Sequence, residues 1–205
     1  AYDGYKATRH PMPEELAMQM PLMKEVLGAM NIPIYECEGW EADDILGTAG
    51  EICAREGEDC VIVTGDRDSL QLVTDRVTVK LVTSKSGQTI TTNYTPDVFR
   101  AEYGFDPVRL VDLKSLMGDS SDNIPGVAGV GPKTATGLLL EYGTLDGIYE
   151  HLPEIKESVR KKLEKDREQA YLSYDLATIR KNAPVDFIPE RNLVREANND
   201  ALYAL

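Results

Sequence analysis

GDSSDNIPGVAGVGPKTA, residues 118–135, places two kinds of chemistry side by side. Asp119 and Asp122 follow directly on an apolar run, Leu110 to Met117, and offer oxygen to a cation. Gly126, Gly129 and Gly131 then thin the backbone before Pro132 and Lys133 open a helix. Proline suits a first helical position because it has no N–H to leave unpaired. Closely spaced glycines let N–H groups approach an anion, and a helix start adds partial positive charge. The juxtaposition points to metal-dependent chemistry on a nucleic-acid backbone.

The spacing is GxxGxG with no strand leading in, so the dinucleotide fingerprint is not met. Pro132 separates Gly131 from Lys133, which excludes a P-loop. A plain turn between two helices stays open, since glycine often serves only a tight connection.

At 205 residues, 42% hydrophobic and 28% charged, the chain can bury a core in one domain with a smaller subdomain. No apolar run approaches the roughly 20 residues that span a bilayer, so no membrane partner is expected. Cys37, Cys53 and Cys60 make no CxxC pair and fit core thiols in a reducing cytoplasm. The chain begins at Ala1 within a polar segment and reads as a fragment of something longer. A net charge of −13 argues against a general electrostatic nucleic-acid binder. That objection localises, because Glu41, Asp43, Asp44, Asp66, Asp68, Asp119 and Asp122 carry much of the negative charge and bound divalent cations would offset several.

Residues 1–12, AYDGYKATRHPM, interleave Lys6, Arg9 and His10 with Tyr2 and Tyr5. Such a mixture can stack bases and hold phosphates, or can be a solvated connector. Leu16, Met20, Met23 and Leu27 predict a helix over 13–30. Ile32 to Cys37 reads as a short buried strand, leading through Gly39 and Trp40 to a helix over about 42–55. The helix dipole explains one or two acids at such a start, but Glu41, Asp43 and Asp44 together ask for a counter-charge.

CVIVT, residues 60–64, reads as a strand buried on both faces of a parallel sheet. Asp66 can cap the next helix. Asp66 and Asp68 also stand just past the carboxyl end of that strand, where open α/β sheets place ligands, and metal binding is the preferred reading. Val77 to Leu81 and Gln88 to Thr92 form a hairpin about Ser86-Gly87. Helices follow over 96–103, 107–117, 132–142 and 145–152. The basic run from Lys156 to Arg167 is interleaved with glutamates and reads as a solvated helix face. A terminal helix ends an irregular segment from Ala183. The expected fold is α/β, a mainly parallel central sheet with flanking helices in residues 1–106, plus a helical subdomain in 107–205.

YKATR (5–9), GWEADD (39–44), TGDRDS (64–69) and MGDSSDNIPGVAGVGPKTA (117–135) occur in this order. Together they make the whole chain resemble the 5′-nuclease domain of bacterial DNA polymerase I, within the flap endonuclease family. The resemblance implies a PIN-like fold, two Mg2+ or Mn2+ ions and a helical arch. It also implies a helix–hairpin–helix element at 118–137, with K+ held by its loop carbonyls. Carried over by position, Glu41, Asp43, Asp44, Asp66, Asp68, Asp119 and Asp122 are metal ligands or stand just behind them. Lys6 and Arg9 become basic catalytic residues at the scissile phosphate, with Tyr5 stacking nearby. Gly126, Gly129, Gly131, Lys133 and Thr134 become duplex contacts. The implied partner is DNA with a 5′ flap, nick or 5′ end, RNA primers included. The implied setting is a monomeric bacterial nucleoid protein with a polymerase domain following. The family pattern opens with a strand bearing one metal-binding Asp and has a second Asp before the arch. This chain matches neither, so weak or no flap cleavage is expected of the 205 residues alone.

Two hard cations roughly 4 Å apart activate water, neutralise charge and support a leaving oxygen. Oxygen ligands without His or Cys favour magnesium or manganese over zinc. A non-catalytic DNA-binding module working through residues 124–137 is the rival reading. A compact acidic-site ribonuclease is a third, which the glycine stretch disfavours.

Overall fold

Val77, Val79 and Leu81 alternate with polar neighbours, and a period of two seats them on one face of a strand. The computed structural model describes every residue except Ala1, Asp3 and Thr8, and contains that strand and its return. In chain order the elements are α1 (Glu14–Ala17), α2 (Gln19–Ala29), α3 (Ala42–Glu56), β1 (Cys60–Thr64), β2 (Val77–Lys85) and β3 (Gln88–Tyr94). Then come α4 (Pro96–Tyr103), α5 (Leu110–Met117), α6 (Pro132–Tyr142), α7 (Leu145–Glu150), α8 (Glu157–Lys165), α9 (Arg167–Ala177) and α10 (Asn199–Ala204). Short 3-10 turns include Arg67–Leu72 and Pro107–Arg109.

Two compact units are formed. The first holds the described residues of 1–9 and Gly57–Ile179. Here β1 runs parallel to β2, and β3 antiparallel to β2 with Lys85 opposite Gln88. Ser86 and Gly87 both take positive φ, 52° and 77°, the two-residue turn whose twist suits a hairpin. The α/β class is as expected, but the sheet is mixed, with one parallel and one antiparallel pairing. CVIVT is covered on one face only, a correction to the expected double burial. Ile62 is 3% exposed, whereas Val61 and Val63 are 56% and 61% exposed. Side chains alternate across a strand, and the turn at Arg67–Leu72, with Leu70 and Leu72 buried, packs against β1 and β2.

The centre of this unit is α5, which buries Leu110, Val111, Asp112, Leu113, Ser115 and Leu116 and packs against α6, α7 and α9. A helix apolar on most sides belongs inside a core. Its charge, Asp112, is only 2% exposed and accepts a 2.8 Å hydrogen bond from the Leu145 N–H at the start of α7. Its other oxygen lies 3.5 Å from Arg109 Nη1. Burial pushes the Asp112 carboxyl up, against the lowering effect of the Leu145 N–H and Arg109. Ahead of α5, Thr95 caps α4 by accepting from the Val98 N–H, with Pro96 in its first turn.

The second unit holds His10–Glu56 and Arg180–Leu205, so compactness divides the chain elsewhere than at 106/107. The expected helix over 13–30 is broken at Met18. Pro21 explains the break, because it has no N–H to offer the Ala17 carbonyl. No strand forms at Ile32–Cys37, where Ile32 and Ile34 are 43% and 42% exposed. Pro33 removes a ladder donor in the middle of that run. The returning segment is pinned to α3, where Asp44 Oδ1 accepts from the Arg180 N–H and Thr48 Oγ1 from the Ala183 N–H. Among the described residues no helix is long and apolar enough to cross a membrane.

Asp112→Ala leaves the buried Leu145 N–H without its acceptor. It is expected to cost about 1–3 kcal/mol in urea unfolding, with Asp112→Asn costing less because an amide oxygen can still accept.

Candidate metal and nucleic-acid site

The acids predicted to bind metal divide between the two units. In the second unit, Asp44 is the third residue of α3, and its Oδ2 accepts from the Glu41 backbone N–H at 3.3 Å. This is one half of a capping box. With Oδ1 held by Arg180, both oxygens of Asp44 serve the local fold. Glu41 and Asp43 are half-buried at the same helix start.

In the first unit, Asp66 caps the turn at Arg67–Leu72, its Oδ1 accepting from the Asp68 N–H at 2.9 Å. Its role as a cap, one of the two sequence readings, is therefore realised. Asp68 is carried forward to face the loop after α5. There Asp119 closes a tight ring, exchanging backbone hydrogen bonds with Ile124 at 2.9 and 2.8 Å. Asp119 Oδ1 accepts from the Ser121 N–H and Oγ. Between the carboxylates lies Lys114, whose Nζ donates to Asp68 Oδ1 and, at 2.6 Å, to Asp119 Oδ2. The three side chains are 12–21% exposed. Burial raises the Asp68 pKa, opposed by Lys114. Burial also opposes the Lys114 charge, but the two carboxylates outweigh it and hold its pKa above the usual value. For Asp119, desolvation is outweighed by hydrogen bonds from Lys114 and Ser121, and its pKa falls to about 2.

Asp122 meets the N-terminal cations instead. Arg9 donates to Asp122 Oδ1 through both Nε, at 3.0 Å, and Nη2. Lys6 Nζ lies 4.0 Å from Asp122 Oδ2, and the Lys6 N–H donates to the Asp122 carbonyl. Lys6 also sits 4.8 Å from the centre of the Tyr5 ring. Tyr5 packs with Val111, Ile124 and Ala177. The predicted trio of Tyr5, Lys6 and Arg9 is thus gathered against the loop that holds Asp119 and Asp122.

The glycine loop has an inner and an outer side. Gly126 has φ +64°, and a Cβ there would lie 2.2 Å from the Gly118 nitrogen, so fold packing alone requires glycine. Its N–H donates to Ser173 Oγ and its carbonyl accepts from Gln169 Nε2. Both backbone polar groups of Gly126, an expected duplex contact, thus bond within the protein. Gly129, Gly131 and Lys133 are exposed, and Thr134 half-buried, at the start of α6. Gly131 has φ −94° and open space around its Cβ position, so nothing internal demands glycine there.

Sequence reasoning did not single out Lys114, although a lysine inside an apolar helical run is a signal of an internal charge partner. It read Lys162 as part of a solvated face and passed over Asp166, Gln169 and Ser173, yet these four bond the backbone of Gly129, Ala128 and Gly126. Lys162 comes from α8, Asp166 from the junction, and Gln169 and Ser173, four apart, from one face of α9. Among the described residues no three His, Cys, Asp or Glu side chains form a ready cluster for a metal. The pair Asp68–Asp119 nonetheless fits a hard cation, because both carboxylates already converge on one positive charge, the Lys114 ammonium.

Comparison with known proteins decides the family. Residues 1–104 match the 5′-3′ exonuclease N-terminal resolvase-like domain, and residues 105–200 match the 5′-3′ exonuclease C-terminal SAM fold. The chain belongs to the 5′-3′ exonuclease family. It is 45% identical over 204 residues to DNA polymerase I of Caldicellulosiruptor bescii, covering 100% of this chain and 24% of that protein. It is 46% identical to DNA polymerase I of Bacillus caldotenax, covering 91% of this chain and 21% of that protein. The chain thus spans about a quarter or less of these relatives. Among solved structures, a bacteriophage T5 flap endonuclease complex with DNA and metal ions matches with a TM-score of 0.68 at 23% identity, over 84% of this chain and 66% of that one. The catalytic core of Rad2 in complex with DNA substrate matches with a TM-score of 0.59 at 18% identity, over 95% and 64%. These two likenesses establish the fold.

The depressed Asp119 pKa carries a pH signature. Its stabilising effect is complete above the ordinary value of 3.8 and is lost as pH falls through about 2. With chelator present, the stability gap between wild type and Asp119→Asn is expected to narrow across that window in urea titrations. A gap that stays constant would contradict the bonding described.

Proposed function

We propose that this chain is the nuclease part of a metal-dependent phosphodiesterase acting at the 5′ side of branched, nicked or recessed DNA, RNA primers included. The observation that carries this reading is the convergence of Asp68 and Asp119 on a single cation position, beside a loop that also gathers Lys6 and Arg9. Asp68 and Asp119 would hold a divalent ion, Mg2+ or Mn2+, with Asp66 of the same unit as a further candidate. Such ions supply activated water and neutralise charge on the phosphate when bound. Lys6 and Arg9 would bind the phosphate oxygens, exchanging Asp122 for substrate, and stabilise charge that develops there. The exposed start of α6, with Gly131, Lys133 and Thr134, would hold duplex backbone without reading bases. K+ at the glycine loop, a following polymerase domain, a monomeric state and a place in the bacterial cytoplasm belong to the same proposal, as do the α/β and helical domains meeting near 106/107.

The test is Mn2+-dependent release of 5′-labelled product from a 5′-flap duplex. The 205 residues alone are expected to cleave only weakly, and Asp68→Asn to be slower still by at least about a hundredfold, because charge neutralisation carries much of the rate. Binding of the duplex without cleavage by wild type would favour the DNA-binding module instead.

Lys133→Ala should weaken duplex binding about equally for unrelated sequences. It should also flatten the dependence of log affinity on log salt by roughly one unit. An unchanged slope would remove Lys133 from the interface.

A further inference from the structure

We propose that Lys114 is a resident counter-cation, which holds Asp68 and Asp119 together without metal and must leave them for a divalent ion to bind. This rests on the reading of Asp68 and Asp119 as metal ligands. The two acids come from separate places, one on the 3-10 turn after β1 and the other in the loop after α5. The ammonium between them offsets their repulsion. Asp119 accepts two hydrogen bonds from Ser121 at Oδ1 and one from Lys114 at Oδ2, so the ammonium occupies the position between the carboxylates that a shared ion would take.

Lys114 is anchored for this work. Its backbone belongs to buried α5, the Lys114 carbonyl accepts from the Gly118 N–H, and the side chain is 12% exposed. A divalent ion brings twice the charge and several more ligand positions than an ammonium, so it can take both carboxylates and expel the weaker cation. The apparent metal affinity is then the intrinsic one reduced by the fraction of molecules in which the ammonium is withdrawn. Removing the ammonium should tighten metal binding while making the metal-free protein less stable.

Calorimetry with Mn2+ alone, without DNA, tests this on wild type, Lys114→Met and Lys114→Arg. Lys114→Met keeps an apolar stem and should bind Mn2+ at least about tenfold more tightly, with a lower metal-free melting temperature that Mn2+ restores. Lys114→Arg keeps the charge and should stay within about threefold of wild type. A second measurement needs no variant. Labelling of wild-type amines, read by mass spectrometry, should show Lys114 reacting several-fold faster with Mn2+ present while Lys133 is unchanged. Equal or weaker Mn2+ binding by Lys114→Met, or unchanged labelling of Lys114, would overturn the counter-cation role. The metal-site reading fails separately if Asp68→Ala and Asp119→Ala bind Mn2+ as wild type does. Absence of Mn2+ binding in all proteins would overturn both.

Discussion

A helix that is buried on most sides and still carries charge constrains everything around it. α5 brings Asp112 into the interior of the first unit and Lys114 to its partly buried edge, and each is paired there. Asp112 is answered by the start of α7 and by Arg109, which fixes how the helical part docks on α5. Lys114 is answered by Asp68 and Asp119, which fixes the turn after β1 against the loop after α5. Charges two residues apart on one helix point different ways, so the same element organises the scaffold on one side and the site on the other. Breaking either pairing strands a buried charge, which is far costlier than losing an exposed ion pair.

The glycine loop shows a similar division of labour. Gly118 and Gly126 bring two backbone segments closer than any side chain permits, and Ser173 and Gln169 of α9 take up the polar groups of Gly126. Ala128 is held by Asp166 and Gly129 by Lys162. With its inner edge secured, the loop presents Gly131, Pro132 and Lys133 outward. A preformed surface loses little freedom when it meets a rigid duplex, which favours sequence-independent holding of a backbone.

Much of this was legible in the chain itself, because the relevant signals are local. The hairpin at Ser86-Gly87, the cap at Thr95 and the proline starts of α4 and α6 follow from turn and capping chemistry. The ordered motifs around Tyr5, Trp40, Asp66 and Asp119 carry the family, which the matching domain descriptions establish. The failures arise where the outcome depends on neighbours. Ile32–Cys37 has strand composition, but Pro33 interrupts the ladder. Val61 and Val63 look like a doubly buried strand, since apolar content alone does not reveal which face is covered. Lys114, Gln169 and Ser173 escaped notice because their importance lies in partners distant in sequence, as Gln169 and Gly126 are.

Around the candidate site the acids are paired with cations of the chain itself. Lys6 and Arg9 are gathered at Asp122, and Lys114 at Asp68 and Asp119, so acids hold cations in place around the candidate site. An exposed cation tethered in this way gives up some attraction for distant phosphate in exchange for a defined position. Phosphate arriving at Arg9 competes with one carboxylate, and a divalent ion arriving at Asp68 competes with one ammonium. Each exchange swaps an internal ion pair for an external one, so its net free energy is much smaller than either pair's Coulomb attraction. Both exchanges also bear on one short loop, which carries Asp119 and Asp122 three residues apart. In the proposed function, ion binding and nucleic-acid binding would therefore bear on the same backbone ring, which Asp119 closes with Ile124.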